Sequence, residues 1–154
     1  MSKTSPEKGL IALIDDDGGV MDFYEAALVE AGFEVNRIME LPAALKYIET
    51  TTDTPDLWVV DVMMPVMDES VCVEGVLLSE ATSWGLTSGR ILYRQIRKRP
   101  EFKQTPLILF TNVPSPDILN DLERELDANA VCESKIMLDP SALVELVSRI
   151  IGNT

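Results

Sequence analysis

The amino-acid sequence predicts a doubly wound α/β domain: a five-stranded parallel sheet with helices on both faces. Three observations carry that expectation. First, short continuous apolar runs, the pattern of strands buried on both faces, recur at residues 11–14, 57–60 and 107–110, and more weakly at 130–132. Second, the stretches between them carry apolar residues at helical spacing. Third, each run ends in or near a chemically loaded residue: Asp15-Asp16-Asp17, then Asp61, then Thr111, then Lys135. Sites in open α/β sheets lie at the carboxyl ends of the strands, so neighbouring strands would bring acids, a hydroxyl and an ammonium into one crevice. Such a crevice suits a hard cation and a phosphoryl group.

The elements follow in order. After the first run, Val20, Tyr24, Leu28 and Met21, Ala27, Ala31 recur at helical spacing, and Gly32 suits the left-handed position that closes a helix. Residues 33–38 read as a short strand and 41–50 as a helix, with Pro42 tolerated in its first turn. A turn at 53–55 precedes the strand that ends at Asp61. Ile91, Leu92, Gln95 and Ile96 lie on a basic helix that stops before Pro100. Ser115-Pro116 and Asp139-Pro140 each read as an N-cap followed by a first-turn proline. They open helices carrying Leu119, Leu122, Leu126 and Leu143, Val147, Ile150. Strands alternating with helices imply right-handed crossovers and a parallel sheet.

One segment breaks the rhythm. Residues 66–85 are far too long for a strand-to-helix loop of about 2–6 residues. Val71, Val73, Val76, Leu77, Leu78 and Trp84 are too apolar to float in solvent, so this insertion is expected to form an ordered flap beside the site.

Composition excludes several classes of function. The 154 residues suit one domain. A net charge of −13, from 13 basic against 26 acidic residues, disfavours binding to nucleic acid or to an anionic membrane surface. No apolar stretch approaches the ~20 residues of a membrane span, and residues 10–14 are too short for a signal-peptide core, so a cytoplasmic protein is expected. The absence of histidine excludes histidine–cysteine metal sites and Ser–His or Cys–His catalysis. Cys72 and Cys132 form no Cys-x-x-Cys pair and read as small buried or half-buried residues.

Ile14-Asp15-Asp16-Asp17, the run Asp61-Val62-Met63-Met64-Pro65, Phe110-Thr111 and Lys135 together resemble the receiver domain of two-component response regulators. The resemblance spans nearly the whole chain apart from the insertion, as a single 1–154 domain. It implies the flavodoxin-like strand order 2-1-3-4-5. It also implies that Asp61 accepts a phosphoryl group from a sensor histidine kinase or phosphotransfer protein. Asp15, Asp16 and Asp61, with the backbone carbonyl of Met63, would hold Mg²⁺. Thr111 and Lys135 would each meet a phosphoryl oxygen, and a downstream protein would read the switched surface.

The sequence departs from the family pattern in two places. Ile136 stands where a proline usually follows the lysine, and Cys132 where an aromatic switch residue is common. The chemistry stands without the resemblance: clustered carboxylates repel, a divalent cation relieves the repulsion, and phosphoryl transfer needs mainly alignment and charge neutralisation.

Two other readings fit parts of the chain. Asp15-Asp16-Asp17, Phe110-Thr111-Asn112 and Lys135 resemble the motifs of haloacid-dehalogenase-type phosphatases, although Gly19 occupies the position of that family's Thr or Val. A receiver-like interaction module that is never phosphorylated is also compatible with the two departures. For single residues, Asp16 or Asp17 could instead cap the first helix.

Overall fold

The computed structural model describes residues 8–62, 64, 72–73, 76–77, 88–111, 116–135 and 138–152. Along the chain these form β1 (Leu10–Ile14), α1 (Gly18–Glu30), β2 (Glu34–Ile38), α2 (Leu41–Thr50) and β3 (Leu57–Asp61). A short hairpin, β4 (Cys72–Val73) and β5 (Val76–Leu77), precedes α3 (Ser88–Lys98) and a single 3₁₀ turn at Pro100–Phe102. The chain closes with β6 (Leu107–Thr111), α4 (Pro116–Glu125), β7 (Ala130–Ser134) and α5 (Pro140–Gly152).

The main sheet has the order β2-β1-β3-β6-β7, every neighbouring pair parallel. Counted over these five strands alone, this is the expected 2-1-3-4-5. Successive side chains of a strand point to opposite faces, so the continuous apolar runs feed two helical layers. Ala12, Ile14, Trp58, Val60, Leu107 and Leu109 pack with Ala44 and Ile48 of α2 and with Leu92 and Ile96 of α3. Ile11, Leu13, Leu57, Val59, Ile108 and Phe110 pack with Met21 and Leu28 of α1 and with Leu143 and Val147 of α5.

Local signals set the helix ends. Asp17 accepts the Val20 N–H (3.2 Å) at the start of α1, and Gly32, at φ 105°, turns the chain out of it. Asp139 accepts the Ala142 N–H (2.8 Å) ahead of α5. Ser115, the other expected cap, lies outside the described residues; α4 does open at Pro116. Where α3 ends, the Arg97 guanidinium donates to the carbonyls of Phe102 and Thr105, 2.8 and 2.7 Å away, and pins the chain for its turn into β6.

Most of the 66–85 insertion lies outside the described residues. The hairpin within it pairs antiparallel. Cys72 and Val73 line a pocket of about 420 Å³ with Ile48 of α2 and with Gln95 and Lys98 of α3. Lys98 is ten residues along α3 from Ser88, roughly 15 Å of helix at 1.5 Å per residue, so this part of the insertion lies far from the end of β3. Cys72 is exposed, contrary to the expectation of a buried or half-buried thiol, because a two-residue strand turns alternate side chains outward. Cys132 is half-buried.

Candidate functional site

Parallel register gathers the site at one edge of the sheet. Ile14 pairs with Val60, Asp61 with Phe110, and Thr111 with Ser134. The next residue on each strand therefore emerges at a common level, and Asp15, Asp61, Thr111 and Lys135 meet there. Asp15, Asp61 and Thr111 are 1%, 4% and 3% exposed, whereas Asp16 is exposed. One carboxylate oxygen each from Asp15, Asp16 and Asp61 lies within 4.8 Å of the others. The Lys135 Nζ is 2.7 Å from Asp15 Oδ2 and 3.4 Å from Asp61 Oδ1.

Backbone bonds hold these groups in place. The Asp15 N–H donates to the Ile38 carbonyl (3.1 Å), and Asp15 Oδ1 accepts the Asp17 N–H (3.0 Å), which leaves Oδ2 to face the crevice. The Lys135 N–H donates to the Thr111 carbonyl (3.0 Å), extending the β6–β7 ladder by one step and aiming the lysine back over the acids. Tyr24 of α1 donates its hydroxyl to the Leu138 carbonyl (2.7 Å), beneath a ring contact with Phe110 (5.4 Å), and so fixes the chain just beyond Lys135. Asp17 is the helix cap and not part of the cluster.

The charges do not balance. Burial pushes the Lys135 pKa down, but the hydrogen bond to Asp15 and the charges of Asp61 and Asp15 outweigh it and raise the pKa overall, so the side chain is an ammonium. One ammonium against three carboxylates leaves the cluster two negative charges in excess. At an effective dielectric near 20, two carboxylates at this separation repel by roughly 3–4 kcal/mol. Asp15 Oδ2 is buried and lies against the Lys135 ammonium at 2.7 Å. An oxygen-only donor set and a double negative excess fit a hard divalent cation. Met63, whose carbonyl was expected to join the ligands, lies outside the described residues.

Two site residues were not foreseen. Ser88 is 2% exposed; its Oγ accepts the Met64 N–H (2.6 Å) and donates to the Val62 carbonyl (3.3 Å). Beside it the Gly89 N–H donates to that same carbonyl (2.9 Å). A Cβ at position 89 would lie 2.5 Å from Val62 Cα and 2.7 Å from the Asp61 carbonyl oxygen, so only glycine lets α3 approach this closely. The available signal was the small pair Ser88-Gly89 where the insertion rejoins an apolar helical pattern. At position 132 a thiol stands in place of a ring, its pKa pushed up to about 11 by burial and by Glu123 and Glu133.

Neither a protein-family model nor a curated protein matches this sequence. Solved structures do. The signal receiver domain of a signal-transduction histidine kinase from Syntrophus aciditrophicus aligns at a TM-score of 0.69 and 22% identity, covering 95% of this chain and 92% of that one. The chemotaxis response regulator CheY4 of Vibrio cholerae aligns at 0.66 and 20%, covering 92% and 97%. The receiver domain of a sensor histidine kinase from Pseudomonas aeruginosa, with a magnesium ion coordinated in its active-site cleft, aligns at 0.64 and 21%, covering 94% and 98%. The chain has the receiver-domain fold.

Proposed function

We propose that this chain is a response-regulator receiver: it accepts one phosphoryl group on Asp61 in a Mg²⁺-dependent reaction and presents the changed surface to another protein. The observation that carries this reading is the buried Asp61 carboxylate, within 4.8 Å of the Asp15 and Asp16 carboxylates and 3.4 Å from the Lys135 ammonium. That is a nucleophile set among groups that neutralise phosphoryl oxygens.

Asp15, Asp16 and Asp61 would hold the cation, which supplies charge neutralisation to the carboxylates and to the incoming phosphoryl oxygens. An Asp61 oxygen forms the new P–O bond as the P–N bond of a phosphohistidine breaks, and the departing imidazole takes up a proton. Lys135, already between Asp15 and Asp61, shifts onto a phosphoryl oxygen, and the Thr111 hydroxyl meets another. The donor is a histidine kinase or a phosphotransfer protein. The strong negative charge favours a protein over nucleic acid as the recipient of the signal.

The test is intact mass after treatment with a small phosphodonor, with and without Mg²⁺. Wild type is expected to gain one phosphoryl group only with Mg²⁺, and Asp61→Asn to gain none. No gain in wild type, or labelling that survives Asp61→Asn, defeats the proposal. Sustained turnover of p-nitrophenyl phosphate would make the chain a phosphatase instead.

A further inference from the structure

The acidic turn between β1 and α1 is gripped at both ends by the edge strand β2. At its start the Asp15 N–H donates to the Ile38 carbonyl (3.1 Å). At its end the guanidinium of the neighbouring residue, Arg37, donates to the Gly18 carbonyl (3.4 Å) and reaches along α1 to Asp22 (2.6 Å) and Glu25 (3.5 Å). A Cβ at position 18 would lie 3.0 Å from Met39 Cε and 3.8 Å from Arg37 Nη2, so the guanidinium lies directly over the backbone of the turn. Charge does not explain this placement. A cation is unfavourable beside a helix N-terminus, and beside a crevice that is to admit a second cation. An ion pair with a carboxylate as exposed as that of Asp22 contributes little.

We infer that Arg37 is a positioning residue for the magnesium centre: by holding the Gly18 end of the turn to β2, it keeps Asp16 within reach of Asp15 and Asp61. The inference rests on reading these three carboxylates as a Mg²⁺ site. Asp15 is buried and tied to Ile38, whereas Asp16 is exposed in the middle of the turn. Its side chain is too short to make up for a displaced backbone, so the turn itself must be held. Mg²⁺ tolerates little departure from its preferred coordination. Groups that orient a ligand from behind are worth about 10–100-fold in metal affinity.

The experiment is titration of the full chain with Mg²⁺, followed by amide NMR. It yields the dissociation constant and, before metal is added, the state of the Asp17 and Val20 amides that bond within the turn. Four proteins are compared: wild type, Arg37→Gln, Arg37→Lys and Arg99→Gln. Arg99 supplies the control, because it also bonds two carbonyls, those of Ile48 and Thr51, and pairs with Glu101, at the other end of α2. Arg37→Gln is expected to weaken Mg²⁺ binding about tenfold and to shift the two turn amides in the metal-free protein. Loss of a nearby positive charge alone would tighten Mg²⁺ binding, so the sign separates positioning from electrostatics. Arg37→Lys keeps the charge but cannot span Gly18 and Asp22 together, and it should also bind more weakly than wild type. Arg99→Gln should match wild type in both measurements. If Arg37→Gln does not fold, Arg37→Lys carries the test. Equal or tighter Mg²⁺ binding in the Arg37 variants, or a matching loss in Arg99→Gln, overturns the role of Arg37 alone. Wild type that binds no Mg²⁺ overturns the magnesium-dependent phosphoacceptor reading as well.

Discussion

Replacing Gly89 with alanine tests how closely α3 must approach the end of β3. In an ordinary helix the change favours folding by up to about 1 kcal/mol, because alanine loses less backbone entropy. At position 89 the new methyl would lie 2.5, 2.7 and 3.1 Å from Val62 Cα, Asp61 O and Val62 N, all backbone atoms that cannot rotate away. The helix must therefore retreat. Overpacking of this kind costs about 1–3 kcal/mol. Retreat also stretches the Gly89–Val62 bond and the Ser88 pair, each worth about 1 kcal/mol. With those bonds weakened rather than broken, and set against the propensity gain, the net loss is about 2 kcal/mol, and in a domain of 154 residues the thermal midpoint falls by roughly 4–8 °C. Urea and thermal unfolding followed by circular dichroism measure it. Gly19→Ala supplies the contrast: its Cβ would meet nothing closer than Asp17 Oδ1 at 3.7 Å, so it should gain roughly 0.4–1 kcal/mol. If Gly89→Ala proves as stable as wild type while Gly19→Ala behaves as stated, the close approach is not a constraint and the reasoning fails.

On the proposed function, Lys135→Ala should slow phosphoryl acceptance by about 100-fold, because the group proposed to neutralise a phosphoryl oxygen is gone, yet bind Mg²⁺ no more weakly. The ammonium competes with the cation for Asp15 and Asp61, so a parallel loss of Mg²⁺ affinity would contradict this account. Glu125 of α4 pairs with Arg90 and Arg94 of α3. Burial raises its carboxyl pKa, but Arg94 and Arg90 outweigh this and hold it below the ordinary 4.5. A pKa depressed in the folded state gives stability that is present above the unfolded value and is lost as pH falls through the folded one. Wild type should therefore exceed Glu125→Gln in thermal midpoint near about pH 6 and lose that margin near about pH 3. A constant margin across that range would show that the pair contributes nothing through charge.

Residues 11–14, 57–60 and 107–110 were legible as central strands because burial on both faces requires an unbroken apolar run, and the run states its own boundaries. The acids at the ends of the first two runs, and Thr111 and Lys135 at the ends of later ones, were legible for a related reason. In a parallel sheet the ends of neighbouring strands face the same way, so order along the chain already implies nearness in space. Two allocations were not readable. Which of three consecutive aspartates caps α1 depends on the turn after β1, where Asp17 adopts the extended backbone of a cap and Asp15 turns inward. The exposure of Cys72 depends on a hairpin only two residues per strand, too short to show a period.

Alternating runs and the residues that end them were enough to specify a parallel α/β sheet with an acidic, phosphate-suited crevice, since both follow from local pattern and strand direction. Folding alone decided that the Lys135 ammonium rests against Asp15 and Asp61 and that Ser88 and Gly89 clasp the backbone beyond Asp61. Contacts across two dozen or more residues depend on how helices dock against the sheet. A serine followed by a glycine looks the same in any loop until a strand end is packed beneath it.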